Sequence, residues 1–255
     1  MNEKVNILGI GVSPINTSKA LRTLDEWIEK REKHYVTITS VHGIVESQSD
    51  RELKRIHNRA GMVTPDGMPL VWLSRLQGFA TVDRVCGPEF LPAVCEHSVN
   101  RRYRHYFYGG KDGVADLLRD GLTRRFPGLE VVGTFSPPFR ALTEEEDQRI
   151  VATLNEANPD IVWVGLSTPK QERWMAAHAD RLQAPVLIGV GAAFDFNAGL
   201  LRRAPRWMQR SGLEWLFRLS MEPSRLWKRY LRNNPQFLWL VFQQMLGLKR
   251  FEYEV

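Results

Sequence analysis

"DIVWVGLSTPKQERW", residues 160–174, decides the fold class. From Ile161 to Leu166 it is apolar throughout, as a strand covered on both faces must be. Pro169 then falls at a first helical position with Thr168 or Ser167 as cap, so Lys170, Gln171 and Glu172 fill a first helical turn. A buried strand that runs through a short loop into a helix is the repeating unit of a parallel sheet. The same order recurs along the chain. "VNILGI" (5–10), "HYVTITS" (34–40), "MVT" (62–64), "HYFYG" (105–109), "LEVVGTF" (129–135) and "PVLIGVG" (185–191) read as strands. Helical patterns separate them. Ala20, Leu21, Leu24, Trp27 and Ile28 form one apolar stripe, and capping boxes open others at Ser49/Glu52 and Thr143/Glu146. The expected fold is α/β: a Rossmann-like, mostly parallel sheet with helices on both faces, plus a C-terminal helical appendage.

The appendage is announced by charge. The chain of 255 residues carries a net charge of +6. Residues 201–255 hold 11 basic against four acidic side chains, so they account for +7 and leave residues 1–200 at −1. The same segment holds four of the eight tryptophans. A division is therefore expected near Arg203, between a core over 1–203 and a basic, aromatic-rich helical appendage over 204–255. The overall composition, 43% hydrophobic and 25% charged, is that of a globular domain and excludes fibrous and disordered classes. The N-terminus enters a strand-like run without a signal segment, and no run of about 18 uncharged apolar residues occurs. Cys86 and Cys95 match neither a zinc spacing nor a disulfide framework, which favours a reducing cytoplasm.

In open parallel sheets ligands bind beyond the carboxyl ends of the strands. Thr39 and Ser40, Asp66, Gly109 and Gly110, "STPKQE" and Asp195 all follow strands. Gly109-Gly110 reads as a phosphate-cradling turn or as a plain tight turn, since its spacing matches no dinucleotide or Walker pattern. Gln171 offers a donor and an acceptor at a strand exit. Asp195 in "FDFNAG" either caps a turn made by Asn197 and Gly199 or binds a base or sugar hydroxyl. Asp66 in "VTPDGMPLVW" (63–72) is a turn aspartate or, partly buried, a base able to take a proton near neutral pH. No metal-ligand spacing and no paired aspartates occur, so neither a metal nor another cofactor is expected.

"VTPDGMPLVW", "RVCGPEF" (84–90), "YFYGGKDGVA", "GLSTPKQERWM", "GVGAAFDFNAG" and "RAPRWMQRSGLEWLFRL" stand in one order over most of the chain. In this the chain resembles the WecG/TagA/CpsF glycosyltransferases (glycosyltransferase family 26). The resemblance implies a bacterial enzyme of cell-envelope polysaccharide synthesis. Such an enzyme moves a sugar from a UDP-sugar to a polyprenyl-diphosphate-linked acceptor, with inversion and without a metal, at the inner face of the membrane. It implies Asp66 as general base, with Arg84 and Gln171 holding the diphosphate and sugar. The family's Thr-x-Asn is not intact in "TITSVHG": Thr37 or Thr39 matches the threonine, and Ser40 or His42 stands in the asparagine's place. N-acetylmannosamine is therefore not implied as the donor.

In "RLWKRYLR", Leu226, Trp227, Tyr230 and Leu231 share a helical face opposite Arg225, Lys228, Arg229 and Arg232. That pattern fits an interfacial helix on anionic lipid, or a helix docked on the core with a solvated basic face. The lipid-linked acceptor favours the first, giving Arg225, Trp227, Lys228, Arg229 and Arg232 as membrane contacts. Helices are expected to begin at Pro223 and Pro235. The expected partners are a UDP-sugar, a lipid-linked saccharide and the cytoplasmic membrane surface, without nucleic acid; an oligomer is compatible with the pattern. Two other classes compete: a nicotinamide-dependent oxidoreductase, which the missing G-x-G-x-x-G disfavours, and a nucleic-acid binder using the basic tail.

Overall fold

A computed structural model describes residues 3–254. Its main sheet has six strands: β3 (His34–Thr39), β4 (Met62–Pro65), β5 (Arg104–Gly109), β6 (Glu130–Phe135), β7 (Ile161–Gly165) and β8 (Val186–Gly189). Their order is β4-β3-β8-β7-β5-β6, and the pairings of β8 with β3 and β7, and of β5 with β7 and β6, are all parallel. Helices flank the sheet. The α/β expectation holds, and β7 and β8 are as buried as their unbroken apolar runs require.

The opening segment differs from the expected pattern. β1 (Val5–Ile7) and β2 (Ile10–Val12) pair with each other, antiparallel, in a separate two-stranded sheet. Leu8 and Gly9, between them, both have positive φ, 53° and 80°, as a two-residue hairpin turn that follows the strand twist demands. Asn6 Oδ1 accepts from the Gly9 amide at 2.8 Å and fixes the turn.

The helices are α1 (Thr17–Lys30), α2 (Val41–Ser49), α3 (Arg51–Arg59), α4 (Met68–Leu76), α5 (Gly87–Val99), α6 (Val114–Arg125), α7 (Glu144–Ala157), α8 (Lys170–His178), α9 (Ala193–Asn197), α10 (Arg206–Arg210), α11 (Glu214–Met221) and α12 (Pro223–Met245). The Thr143/Glu146 capping box is present at α7. The Ser49/Glu52 box is not, because α2 runs on through Ser49; Asp50 caps α3 instead, accepting from the Leu53 amide at 3.0 Å. Pro169 is the cap of α8 rather than its first residue. Pro223 opens α12 as expected, but Pro235 lies inside that helix and starts nothing.

By its contacts the chain divides into two compact units. One comprises residues 1–16, 38–86 and 203–255; the other comprises 17–37 and 87–202. The tail beyond Arg203 thus forms one unit with two segments from the first third of the chain. α12 buries Leu226, Phe237, Leu240 and Val241 and packs on α2. Within its last turn Gln244 Oε1 accepts from Leu8 N at 3.0 Å, and beyond it Asn6 Nδ2 donates to Phe251 O at 2.8 Å and Asn58 Nδ2 to Glu254 O at 2.9 Å.

Candidate active site

In the first unit, two strand ends meet. The Asp66 amide donates to Thr39 O at 3.0 Å, placing the end of β4 beside the end of β3. Asp66 is half-buried between Pro65 and Gly67, and Gly67 caps α4 with Pro69 in its first turn. The next segment is lashed to the same strand: Val85 N donates to Pro65 O at 3.0 Å, and Thr64 Oγ1 to Val85 O at 2.9 Å. Arg84 is thereby carried alongside β4. Its guanidinium is already engaged, ion-paired with Glu214 at 2.5 Å and donating to Gln209 Oε1 at 2.7 Å. Gln209 Oε1 also accepts from Arg203 Nη2 at 2.8 Å, so α10 and α11 reach this arginine through an amide and a carboxylate.

Thr39 is buried and its Oγ1 lies 3.3 Å from His57 Nδ1. Burial holds the His57 imidazole down to about pKa 4. Ser40, half-buried, occupies the N-cap position of α2 without a side-chain cap bond. His42, the second residue of that helix, receives the Asn233 amide of α12 at 2.7 Å on Nδ1. Burial first, and Arg229 second, lower its pKa to about 4, so the ring is a neutral acceptor at Nδ1.

In the second unit the rim is built on glycines. Gly109 ends β5 opposite Gly165 of β7, and at its φ of 128° a Cβ would stand 2.7 Å from the Gly165 backbone. The Gly110 amide closes the contact on Gly165 O at 3.0 Å. Ser136 Oγ braces the turn on Gly109 O and Lys111 O at 3.2 and 3.1 Å. Past β7, Ser167 takes a φ of 65° and delivers the chain to α8. Lys170 there is exposed, whereas Gln171 and Glu172 are buried. Asp195 is half-buried in α9, where its carbonyl accepts the Leu200 and Leu201 amides at 2.9 and 3.2 Å. Asn197 Nδ2 donates to Ala193 O at 2.9 Å and Pro88 O at 3.3 Å.

The sequence profile described as "Glycosyl transferase WecG/TagA/CpsF family" matches residues 5–251. The chain belongs to this family. The N-acetylglucosaminyldiphosphoundecaprenol N-acetyl-beta-D-mannosaminyltransferase of Bacillus subtilis (strain 168) is 29% identical over 237 residues, 89% of this chain and 90% of that protein. The enzyme of the same name from Bacillus spizizenii is 30% identical over 199 residues, covering 78% of this chain and 74% of that protein. A Staphylococcus aureus (strain MW2) relative, again of that name, is 21% identical over 97% of this chain and 95% of its own. This WecG/TagA/CpsF chain is accordingly a glycosyltransferase.

The structure shows partners in this glycosyltransferase that the sequence does not announce. Glu214 and Gln209 lie well over a hundred residues from Arg84, with no local signal that they hold it. Gly165 was legible only as part of a strand, and its role as the surface on which Gly109 closes needs the parallel register. Glu172, in the first turn of α8, is a buried acid bonded to Thr168 and Gln171. The appendage face is also redistributed. Leu226 is fully buried and Tyr230 half-buried against Trp215, so they do not share the solvent face of Trp227 and Leu231. The exposed face of α12 runs instead through Trp227, Leu231, Leu238, Phe242 and Met245, with Trp239 beside it. Leu231 and Leu238 are each 68% exposed and Trp239 58%. Among the described residues no helix is long and apolar enough to cross a membrane. No group of three or more His, Cys, Asp and Glu among them is placed to hold a metal ion.

Proposed function

We propose that this glycosyltransferase moves a hexose or N-acetylhexosamine from a UDP-sugar to a polyprenyl-diphosphate-linked saccharide, with inversion and without a metal. One observation carries the reading: a half-buried aspartate, Asp66, at a strand exit whose amide is bonded to the end of the neighbouring strand at Thr39. A sugar hydroxyl is a weak nucleophile, and a carboxylate within reach takes its proton as it attacks the anomeric carbon. Thr39, Ser40, Gly109, Gly110, Lys170, Gln171 and Asp195 are the donor contacts in this scheme. Arg84 and helix N-termini supply the positive charge that a departing UDP requires. The relatives' names support the acceptor class.

The enzyme works at the cytoplasmic face of the membrane as a peripheral protein in this account. Support comes from the exposed apolar side chains of α12, among them Trp227, Leu231, Leu238, Trp239 and Phe242, with Lys228 and Arg232 exposed beside them. Arg225, paired with Glu222 at 2.8 Å, and half-buried Arg229 flank that surface. No cofactor and no nucleic acid enter the scheme, and the core over 1–203 with its appendage over 204–255 is retained as a functional division. Incubating the protein with a panel of UDP-sugars and a short polyprenyl-diphosphate N-acetylglucosamine, then weighing the product and reading its anomeric coupling, tests the reading. A transferred hexosyl mass with inverted configuration, undiminished by EDTA, is expected. Loss of turnover on chelation, restored by magnesium or manganese, would replace the cationic-side-chain account.

A further inference from the structure

Gln171 and Glu172 are 3% and 1% exposed, and each carries a buried oxygen without a hydrogen-bond partner, Gln171 Oε1 and Glu172 Oε2. A buried polar atom left unpaired is costly, so two of them side by side at a strand exit call for a cause. The other polar atom of each side chain is bonded. Glu172 Oε1 accepts from Gln171 Nε2 at 3.1 Å and from Thr168 Oγ1 at 2.9 Å. Nε2 has a fixed partner, and an amide cannot turn one end without turning the other. The oxygen is thereby aimed away from Glu172, towards the end of β8, where a Cβ on Gly191 would lie 3.5 Å from it. Gly191 has no Cβ, so no side chain of that residue stands before the oxygen.

We propose that Glu172 is a positioning residue: it locks the Gln171 amide so that only its carbonyl oxygen is presented to the donor, and this oxygen receives a hydroxyl or N–H of the transferred sugar rather than holding the diphosphate. The inference rests on the glycosyltransferase reading and narrows it. A phosphate oxygen bears no proton at neutral pH and would be repelled by an amide carbonyl; a sugar hydroxyl or acetamido N–H supplies the missing hydrogen. Specificity built this way is strong, because a sugar lacking that donor leaves the buried oxygen unpaired. Desolvation by burial raises the Glu172 pKa. Glutamine could make the same two acceptor contacts.

Two measurements test this on the intact protein. In protein carrying 15N-labelled glutamine, the Gln171 side-chain NH2 protons should exchange slowly with water. Glu172→Ala should speed that exchange at least tenfold, and Glu172→Gln should leave it within threefold of wild type. This arm needs no ligand. In the second arm, UDP and UDP-N-acetylglucosamine, UDP-N-acetylmannosamine and UDP-glucose are titrated by calorimetry. For whichever sugar binds the wild type more tightly than UDP alone, Glu172→Ala should remove about tenfold of that preference, as expected when a buried hydrogen bond is disordered. UDP itself should bind within twofold of wild type, and Glu172→Gln should restore the preference. Thr168→Val, which removes one of the two donors to Glu172, should give a smaller loss of the same kind and serves if the alanine variant does not fold. Unchanged amide exchange in both variants, or a loss that falls equally on UDP, overturns the proposal. A wild type that binds neither UDP nor any UDP-sugar would overturn the glycosyltransferase donor reading, while the exchange arm would still decide whether Glu172 holds Gln171.

Discussion

Replacing Arg84 by alanine should destabilise the first unit before any question of substrate arises. The Arg84 side chain is 11% exposed and that of Glu214 23%. A fully exposed pair would contribute about 0–1 kcal/mol, whereas removing one member of a buried pair costs about 3–5 kcal/mol because the other charge stays behind. The geometry lies between these, nearer the second. Gln209 keeps Arg203 at 2.8 Å as a partner for its oxygen, so the loss of Arg84 there adds little. The sum is about 3 kcal/mol. For a chain of this length that corresponds to about 6–12 °C in Tm. Urea unfolding followed by tryptophan fluorescence, with Arg84→Ala, Glu214→Gln and the double variant, gives the coupling directly. The double variant should recover at least half the loss, since a glutamine leaves no stranded charge. The same series bears on function: if Arg84 serves the donor diphosphate, Glu214→Gln should tighten UDP binding about three- to tenfold by removing the competing carboxylate. A coupling below about 0.5 kcal/mol would refute the view that α11 reaches back to hold this arginine.

Asp66→Asn should lower kcat by about two to four orders of magnitude with UDP binding little changed, since an amide cannot take the proton; a variant within tenfold of wild type would remove Asp66 from the chemistry. Changing Leu231, Leu238 and Trp239 together to serine should abolish sedimentation with anionic vesicles while leaving Tm and activity on a short, water-soluble acceptor near wild type. Vesicle binding that persists would send the apolar face of α12 to another partner. These substitutions are preferred to truncation at Arg203, which would also strip Leu226, Phe237, Leu240 and Val241 off α2. Burial lowers His57 to a pKa of about 4 and His105 to about 3, against 6.5 for an ordinary histidine. Below pH 6.5 the unfolded chain therefore binds protons that the folded chain refuses. Stability should be constant above pH 7 and fall by about 1–2 kcal/mol for each of the two rings by pH 5; equal urea midpoints at pH 7 and 5 would contradict that assignment.

Wherever neighbouring residues impose the physics, the sequence was sufficient. β7 and β8 had to be buried strands because they alternate nowhere, and Thr143 with Glu146 capped α7 because the reciprocal bonds close within four residues. Asp66 and Gln171 could be placed at strand exits on the same grounds. A local signal failed where a competing neighbour intervened. α2 absorbed Ser49 and moved the cap to Asp50, and Leu8-Gly9 folded the first strand back on itself instead of passing it to the main sheet. Which residues hold the candidate groups was decided by packing alone. Arg84 meets Glu214, His42 meets Asn233, and Gln171 is held by Glu172 only because α8 begins where Ser167 turns with positive φ. The tail shows the limit most clearly. Its amphipathic pattern was legible, but a helix with apolar residues on two faces does not state which face a protein covers. Packing on α2 took the face of Leu226, Phe237, Leu240 and Val241, and so left Trp227, Leu231, Leu238 and Phe242 to the solvent side.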